Sequence, residues 1–443
     1  MVVQDDAELL FAGPEHAERA MELLDRSGVR AIRLTAGWAQ LAPDARSDTK
    51  PEFDATDPGA YREEAWKPID HAVREARERD MAVIVDIAFW APVWATDGDA
   101  TARPRRAIDA EDFAEFARAV TRRYREDVGT FTLWNEPNHP GFLLPQRGAA
   151  AVYRNMVAAA YPAVKDEAPD STVLVGGLAA HGRRNGTPPL RFLRDLACVD
   201  ARLQPVTTGD CANFKRIEGD GFAHHPYSTR TRPDEVERSA SPDDVPMARI
   251  GRLIDMLDRL AAAGRVSPKL RSLYITEYAY ESNPPDPGAR FNPGRAARMM
   301  AFGEALAARE PRVRTFAQFI VRDLPATAAG GQQVGSLSDW QSGLLFADRR
   351  PKPLAFVLPA PLHAEQVDPQ FVRLWGRVRP GRGRRPVRIE AAPPGAPWRT
   401  LFQGRTDSRG IVEAERPAPA GTSFRIGRRV NGRWVFGPPV DAL

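Results

Sequence analysis

The sequence predicts an α/β protein, a (β/α)8 (TIM) barrel followed by a small C-terminal antiparallel β-sandwich. Short apolar strands alternate with amphipathic helices over about residues 1–355, which is the pattern of βα units around a parallel sheet. The alternation stops near Pro359, where short strands punctuated by proline, glycine and aspartate take over. In that region Asn431-Gly432 is typical of a two-residue hairpin turn. We therefore predict a catalytic barrel over residues 1–358 and a β-sandwich accessory domain over residues 359–443.

The barrel prediction specifies each element. The expected strands are Val2–Gln4, Val29–Leu34, Met81–Ile87, Thr130–Trp134, Thr172–Gly176, Gly221–His225, Leu273–Thr276 and Arg314–Ile320. The expected helices are His16–Ser27, Ile69–Arg79, Glu111–Arg125, Ala149–Glu167, Leu190–Leu196, Met247–Ala263 and Arg295–Ala308, with an eighth near Pro353–Leu358. In the first helix Ala20, Leu23 and Leu24 recur at the helical period and define one buried face.

Composition narrows the function. Hydrophobic residues make up 43% of the chain and charged residues 27%, as in ordinary globular proteins. We find no run of about 18 apolar residues, so no membrane span is expected. The net charge is only +4, and no nucleic-acid motif accompanies it, so no nucleic-acid partner is expected. The oligomeric state is not predicted.

The first residues of the sequence bear on the cellular location of the protein. The sequence enters a strand directly after Met1, so no signal peptide is expected in it. We expect an extracytoplasmic or secreted protein whose leader is absent from this chain, and a cytoplasmic location stays open.

Two cysteines, Cys198 and Cys211, lie in one Pro/Gly/Asp-rich loop. We favour a disulfide between them, with two separate thiols as the alternative, because spacing does not fix geometry.

The segment Trp134-Asn135-Glu136-Pro137-Asn138 carries the clearest chemical signal. An apolar strand ends there in Asn-Glu, and Pro137 stops the ladder because it lacks a backbone N–H. These polar side chains are therefore expected at the C-terminal mouth of the barrel, where active sites of this fold lie.

A second apolar strand, Leu273-Tyr274-Ile275-Thr276, ends in Glu277. Strands four and seven are three steps apart on an eight-stranded barrel, so their carboxylates can face each other across the lumen. Paired carboxylates are what glycoside hydrolysis requires: one protonates the leaving oxygen, while the other attacks the anomeric carbon or activates water.

These two motifs resemble clan A glycoside hydrolases, most closely family 39, with family 5 as a close relative. The resemblance spans about residues 1–355 in layout, but it is specific at only a few positions. It implies a retaining glycosidase that needs no cofactor and no metal, with Glu136 as acid/base and Glu277 as nucleophile. It also implies a carbohydrate partner, an oligo- or polysaccharide.

The resemblance assigns further substrate-site residues. Asn135 matches the asparagine that binds the sugar 2-hydroxyl, and Arg33 on the second strand matches the arginine beside the nucleophile. At the end of the sixth strand Tyr227 matches the tyrosine that holds the nucleophile, and His225 matches a histidine that contacts substrate. His224 should point the opposite way, because neighbours on a strand alternate.

Tryptophans follow several predicted strands, where a flat ring suits the apolar face of a sugar. Trp340 is the one we favour as the platform for the reacting sugar. Trp38 and Trp94 are also assigned to substrate binding, and Trp90 lies in a similar position.

The C-terminal region is rich in arginine and tryptophan. A dense run comprises Arg373, Arg377, Arg379, Arg382, Arg384, Arg385 and Arg388. A patch for an acidic polysaccharide is one interpretation, and a solvated hairpin in an arginine-biased sequence is the one we favour. Trp375, Trp398 and Trp434 are expected in the sandwich core rather than on a binding surface.

Two alternatives to a hydrolase stay open at this stage. One is a non-catalytic carbohydrate-binding protein on a barrel scaffold, and the other is a transglycosidase that uses the same residues. The sequence does not define the sugar, the linkage, or exo versus endo action.

Overall fold

A computed structural model describes residues 1–183, 185–324, 340–381 and 383–443. Its centre is a closed sheet in which every pairing of neighbouring strands is parallel. The strands are β1 (Val2–Gln4), β2 (Ala31–Gly37), β3 (Ala82–Ala88), β4 (Thr130–Leu133), β5 (Thr172–Ala179), β6 (Gly221–His225), β7 (Leu273–Ile275), β8 (Val313–Thr315) and β9 (Ala317–Phe319). The predicted barrel is confirmed.

The last two of these strands together form the eighth stave of the barrel. The first part pairs with β7 through Leu273 and Val313, and the second pairs with β1 through Val2 and Ala317. The sheet order β8-β7-β6-β5-β4-β3-β2-β1-β9 therefore closes on itself. The single strand predicted over Arg314–Ile320 is thus interrupted at Phe316, where the chain passes from one neighbour to the other.

Helices surround the sheet. They are α1 (Pro14–Arg26), α2 (Trp38–Leu41), α3 (Glu63–Glu78), α4 (Ala110–Tyr124), α5 (Ala149–Glu167), α6 (Pro189–Leu196), α7 (Ile250–Ala262), α8 (Pro293–Arg309) and α9 (Pro353–Val357). Leu253, Leu257 and Leu260 lie at helical spacing on α7 and are all fully buried against the sheet side. None of the helices in the described ranges has the length and apolarity that a membrane crossing requires.

One helix begins earlier than its hydrophobic pattern indicated. The pattern predicted Ile69–Arg79, but α3 starts at Glu63, and its first turn contains Glu63 and Glu64. Acidic side chains at a helix N-terminus are favoured by the helix dipole, although they contribute nothing to an apolar periodicity. The apolar pattern alone therefore omits the first turn.

The C-terminal region forms two antiparallel sheets, as predicted. Its strands are β10 (Leu362–Gln366), β11 (Phe371–Arg377), β12 (Pro386–Ala392), β13 (Arg399–Arg405), β14 (Ile411–Pro417), β15 (Ser423–Val430), β16 (Arg433–Phe436) and β17 (Val440–Asp441). One sheet has the order β10-β11-β14, and the other has the order β13-β12-β15-β16 with β17 beside β15. Leu374 of the first sheet shares a buried core with Ile389 and Phe424 of the second.

A buried ion cluster joins the C-terminal sheets to the barrel. Glu304 on α8 accepts hydrogen bonds from Arg377 Nη1 at 3.0 Å and from Arg379 Nη2 at 2.5 Å. Burial alone would raise the pKa of Glu304, but the charges of Arg379 and Arg377 outweigh it and lower the pKa to about 2. Trp375 is fully buried nearby against Ala305 of α8, at the contact with the barrel and not in the sandwich core where it was expected. The two arginines of the predicted run are therefore structural. Arg382 of the same run lies outside the described residues.

Cys198 and Cys211 form a disulfide, with their Cα atoms 5.6 Å apart. The bond joins the end of α6 to a short turn at Gly209–Cys211. The pairing favoured from the sequence is therefore the one present.

Candidate active site

A cavity of about 530 Å³ opens at the C-terminal ends of the barrel strands. This volume falls within the usual range for small-molecule sites. Glu136, Glu277 and Asn135 line it, together with aromatic side chains from the surrounding loops. A larger groove of about 900 Å³ lies outside the barrel between α5 and residues 209–218, and neither glutamate contacts it.

Glu136 follows β4 in a tight turn with unusual backbone geometry. Trp134 and Glu136 have φ values of 67° and 41°, in the left-handed region that non-glycine residues rarely occupy. The indole N–H of Trp134 donates to Phe142 O at 3.1 Å, which anchors the turn. Residues in such conformations cost about 1–3 kcal/mol each and cluster at functional sites. The turn places the Glu136 side chain in the cleft.

Glu277 follows β7 and is held at both carboxylate oxygens. Arg33 Nη1 donates to its Oε1 at 2.7 Å, and the Tyr227 hydroxyl donates to its Oε2 at 3.0 Å. Only 7% of Glu277 is exposed. The two donors, one on each oxygen, fix the orientation of the carboxylate.

Arg33 is the hub of this network. It is 1% exposed, and its Nη2 donates to Asn135 Oδ1 at 3.1 Å and lies 2.7 Å from Asp86 Oδ2. Its Nη1 also donates to Gln4 Oε1 at 2.5 Å. Burial lowers the pKa of Arg33, but the charges of Asp86 and Glu277 outweigh it, so the pKa lies above its usual range. Arg33 therefore stays a cation inside the barrel.

Asp86 on β3 is the second anion beside Arg33. Burial raises its pKa to about 6, although the charge of Arg33 acts in the opposite direction. The Thr132 hydroxyl donates to its Oδ1. One buried cation thus compensates two carboxylates, Asp86 and Glu277.

His225 connects the two glutamates. Its Nδ1 lies 3.0 Å from Glu136 Oε1 and 3.6 Å from Glu277 Oε2, and its Nε2 lies 3.0 Å from Thr276 Oγ1. The ring is fully buried, so instead of the substrate contact implied by the family resemblance it contacts the two carboxylates. His224 points the other way, where its Nε2 donates to Val245 O at 2.8 Å. Burial lowers the pKa of His224 to about 3.

Glu136, His225 and Glu277 bring one ligand-type atom each to within 4.8 Å of one another. A carboxylate oxygen of Glu136 and one of Glu277 therefore lie within that distance. The same three atoms have a donor set that a metal ion accepts. Arg33 already supplies a cation to Glu277, however, so the charge that would attract a metal is partly compensated.

Two of the predicted sugar-binding tryptophans are core residues instead. Trp38 is fully buried and stacks on Phe116 at 5.4 Å, because α2 begins at Trp38 and turns it beneath the loops. Trp94 is 8% exposed, and its indole N–H donates to Pro43 O at 3.3 Å. Neither ring lines the cleft, so the substrate roles predicted for both are corrected.

Two other tryptophans do line the cleft. Trp340 lies against Tyr227, with ring centroids 5.0 Å apart, and its role as a sugar platform stays a prediction. Trp90 was not assigned to substrate binding from the sequence. Its indole N–H donates to Gly141 O at 3.1 Å. The Arg103 guanidinium lies 4.5 Å from the Trp90 ring centroid.

Gln4, Asp86 and Thr276 contact the site residues but were not predicted from the sequence. The sequence pattern could have indicated two of them, because each is a polar residue in an apolar strand. Gln4 follows Val2-Val3, and Asp86 interrupts the run Val83-Ile84-Val85-Asp86-Ile87. A polar group in a fully buried strand requires a partner, so each indicates a paired interior site.

Comparison with known proteins gives one family match. Residues 5–197 match the model of the family "Cellulase (glycosyl hydrolase family 5)". No curated protein matches the chain. The matching family is the one that the sequence resemblance named as the close relative, and the finer resemblance to family 39 is not confirmed.

Solved structures share the fold. A β-glucosidase from Thermotoga maritima, in complex with methoxycarbonyl-substituted glucoimidazole, is similar at a TM-score of 0.51 and 13% identity, over 76% of this chain and 83% of that one. β-Glucuronidase 2 from Bacteroides uniformis, covalently bound to cyclophellitol-6-carboxylate aziridine, is 11% identical with a TM-score of 0.45 over 97% of this chain. This chain spans only 44% of the length of that glucuronidase. The first part of the chain is therefore similar to this family, and the chain shares the barrel fold of a solved glycosidase.

Proposed function

We propose that the protein is a retaining glycoside hydrolase that cleaves an oligo- or polysaccharide. The observation that carries the proposal is the approach of Glu136 and Glu277, since one carboxylate oxygen of each lies within 4.8 Å of the other across one cleft. Retaining enzymes keep the two carboxyl groups about 5–5.5 Å apart, whereas inverting enzymes need roughly 6.5–9.5 Å to admit a water molecule.

The surroundings of each glutamate support its role. Glu277 is bound at both oxygens by Arg33 and Tyr227, which orients it as a nucleophile. Glu136 has one oxygen next to His225 and lines the cleft, which suits a group that exchanges a proton with substrate. Asn135 gives its amide oxygen to Arg33, which leaves its two N–H donors for a sugar hydroxyl.

The reaction then proceeds by double displacement. Glu277 attacks the anomeric carbon, the bond to the leaving oxygen breaks, and the proton of Glu136 passes to that oxygen. In the second step the Glu136 carboxylate takes a proton from water. The water oxygen attacks the anomeric carbon, and the ester bond to Glu277 breaks.

The cleft and the disulfide support the rest of the proposal. Trp90 and Trp340 line the cleft and offer flat rings on which sugar units can stack. The Cys198–Cys211 bond favours an oxidising compartment, which supports the expected extracytoplasmic or secreted location.

Glu277→Ala and Glu136→Ala variants test the assignment on a panel of aryl glycosides. Glu277→Ala should lose turnover, and azide should restore part of it by attack on the vacated face, giving a glycosyl azide of inverted configuration. Glu136→Ala should retain much more activity on aryl glycosides with good leaving groups than on poor ones. NMR of the first product formed by the wild-type enzyme should show the anomeric configuration of the substrate.

Glu22→Ala, a change at an exposed carboxylate on α1, is the matched control and should leave the rates unchanged. Wild-type rates in both catalytic variants on a good substrate would exclude the assignment. An inverted first product would retain the glycosidase but reject the double displacement.

A further inference from the structure

The outward face of the larger C-terminal sheet presents arginine and aromatic side chains together. We call it the arginine–aromatic face, and it consists of Arg388, Trp398, Arg425, Arg429, Trp434 and Phe436. The strand register sets most of these side chains on one side: Arg388 pairs with Gly427, Gly427 pairs with Phe436, and Arg429 pairs with Trp434. Gly427 has no side chain, and the Phe436 ring occupies the space that its Cβ would fill.

The core does not require these residues. On the opposite side of the same strands Val387, Ile389, Phe424 and Ile426 are buried against the smaller sheet. Trp398 and Trp434 are instead only half-buried. The expectation that both belong to the sandwich core is therefore wrong, because the aliphatic residues of alternate positions already fill it.

Each arginine of the face lies on an aromatic ring. The guanidiniums of Arg388 and Arg429 lie 4.6 Å and 5.4 Å from the centroid of the Trp434 ring. Arg425 lies 4.4 Å from both Trp398 and Phe436, and it pairs with Glu390 at 2.6 Å. Stacking on a ring holds a guanidinium flat, and its unpaired N–H groups can then contact carboxylate and sulfate groups. Arg388 uses its Nε–H on Gln403 Oε1 at 2.9 Å, and its Nη1 lies 3.9 Å from Glu390 Oε1, so only part of its N–H edge can contact a ligand.

Charge is distributed unevenly between the two parts of the chain. Residues 359–443 contain 15 arginines and 7 acidic residues, a net charge of +8, whereas residues 1–358 have a net charge of −4. Arg429 is exposed, and the structure gives it no ion pair within the described ranges. Such a field attracts polyanions and repels cationic polymers.

We propose that the arginine–aromatic face binds an anionic polysaccharide, with Arg388 and Arg429 on its acidic groups and exposed ring edges against its sugar units. The choice of a polysaccharide over other polyanions rests on the function proposed for the barrel, which acts on glycosidic bonds.

Affinity gel electrophoresis of the full chain tests this inference. Polygalacturonate and dextran sulfate serve as carboxylate and sulfate probes, hydroxyethylcellulose as the neutral polymer, and a short duplex DNA as a competing polyanion. Retardation by at least one anionic polysaccharide, lost in 0.5 M salt because of screening, is the expected result. The Arg388→Gln/Arg429→Gln variant should bind at least about tenfold more weakly, and Trp434→Ala should also weaken binding although it removes no charge.

The matched control is Arg19→Gln/Arg26→Gln, which removes the same charge from the exposed side of α1. It should bind like the wild type, and all variants should hydrolyse aryl glycosides at the wild-type rate. The inference would be overturned if both double variants lost polysaccharide binding equally. It would also be overturned if the neutral polymer retarded the protein as much as the anionic ones, or if DNA bound more tightly than they do. Aryl glycoside turnover is scored separately, so retardation without turnover rejects the barrel's proposed function, and turnover without retardation rejects only the binding face.

Discussion

Arginine has contrasting roles in the barrel mouth and on the C-terminal sheet. Arg33 is buried, and four side chains accept from it or pair with it: Gln4, Asp86, Asn135 and Glu277. Arg429 is exposed and rests on one indole ring. The same side chain is fixed by hydrogen bonds in one place and by a flat apolar surface in the other. In a chain where 56 of the 62 basic residues are arginine, the surroundings of an arginine and not its presence identify its role.

The largest effect of a substitution is expected at Arg33, the buried arginine of this comparison. Arg33→Lys keeps the charge but removes the planar fork that contacts Glu277, Asn135 and Asp86 at once. We expect kcat on an aryl glycoside to fall by about a hundredfold to a thousandfold, as when an electrostatic contact to the reacting centre is lost. Steady-state kinetics measures this, with Arg26→Lys on α1 as the control.

Circular dichroism of the same Arg33→Lys variant separates catalysis from folding. A lower kcat with an intact spectrum supports a positioning role for Arg33. An unchanged kcat would show that Glu277 does not depend on the fork, and the comparison between the two arginine environments would lose its functional meaning.

The ion cluster between barrel and sandwich should have the next largest effect. In Glu304→Gln the buried Arg379 and the partly buried Arg377 lose their anion. A pKa lowered from 4.5 to about 2 corresponds to about 3 kcal/mol of stability at neutral pH. Denaturant unfolding at pH 7 should show a loss of this size relative to the wild type.

The pH dependence of that loss has a definite sign. Because the pKa of Glu304 is lower in the folded than in the unfolded chain, its stabilisation is present above about 4.5 and disappears as the pH falls toward 2. The difference in unfolding free energy between Glu304→Gln and the wild type should therefore be full at pH 7 and smaller at pH 3. A difference that stays constant over this range would assign the loss to packing.

Sequence patterns predicted the parts of the molecule that depend on local order. The eight staves of the barrel follow from apolar runs and amphipathic helices, and Glu136 and Glu277 follow from their places at strand ends. Trp38 and Trp94 show the limit: both follow predicted strands, but the short helical turns that contain them direct the rings into the core. Which side a loop residue faces depends on turn geometry and packing partners distant in the chain.

The C-terminal sheets show the same limit of sequence-based prediction for residues within strands. Trp375 and Trp434 both lie on short strands among arginines, yet the first is buried against α8 and the second is half-exposed. Alternation within a strand tells which residues share a face, but only the packing of the two sheets and the barrel decides which face is covered.

A smaller effect is expected at the aromatic wall of the cleft. Trp340→Ala removes the ring beside Tyr227 but none of the groups that bind Glu277. If the ring supports the reacting sugar, kcat/KM should fall by about tenfold, in line with roughly 1.5 kcal/mol for an aromatic contact. Trp94→Ala, on a ring outside the cleft, should instead lower the melting temperature by a clear margin. A drop in melting temperature for Trp340→Ala with unchanged kcat/KM would reassign Trp340 to the core.

The smallest change in stability is expected where an arginine is exposed. Arg429→Gln removes a cation that has solvent on one side and the Trp434 ring on the other, so unfolding should change by less than about 0.5 kcal/mol. Exposed charges contribute little to folding because water and salt screen them, and the same exposure leaves them available to a ligand. Parallel denaturant curves for Arg429→Gln and Glu304→Gln measure the contrast directly. If Arg429→Gln lost as much stability as Glu304→Gln, the arginine–aromatic face would be a structural element of the sandwich, and a binding role would no longer be needed to explain it.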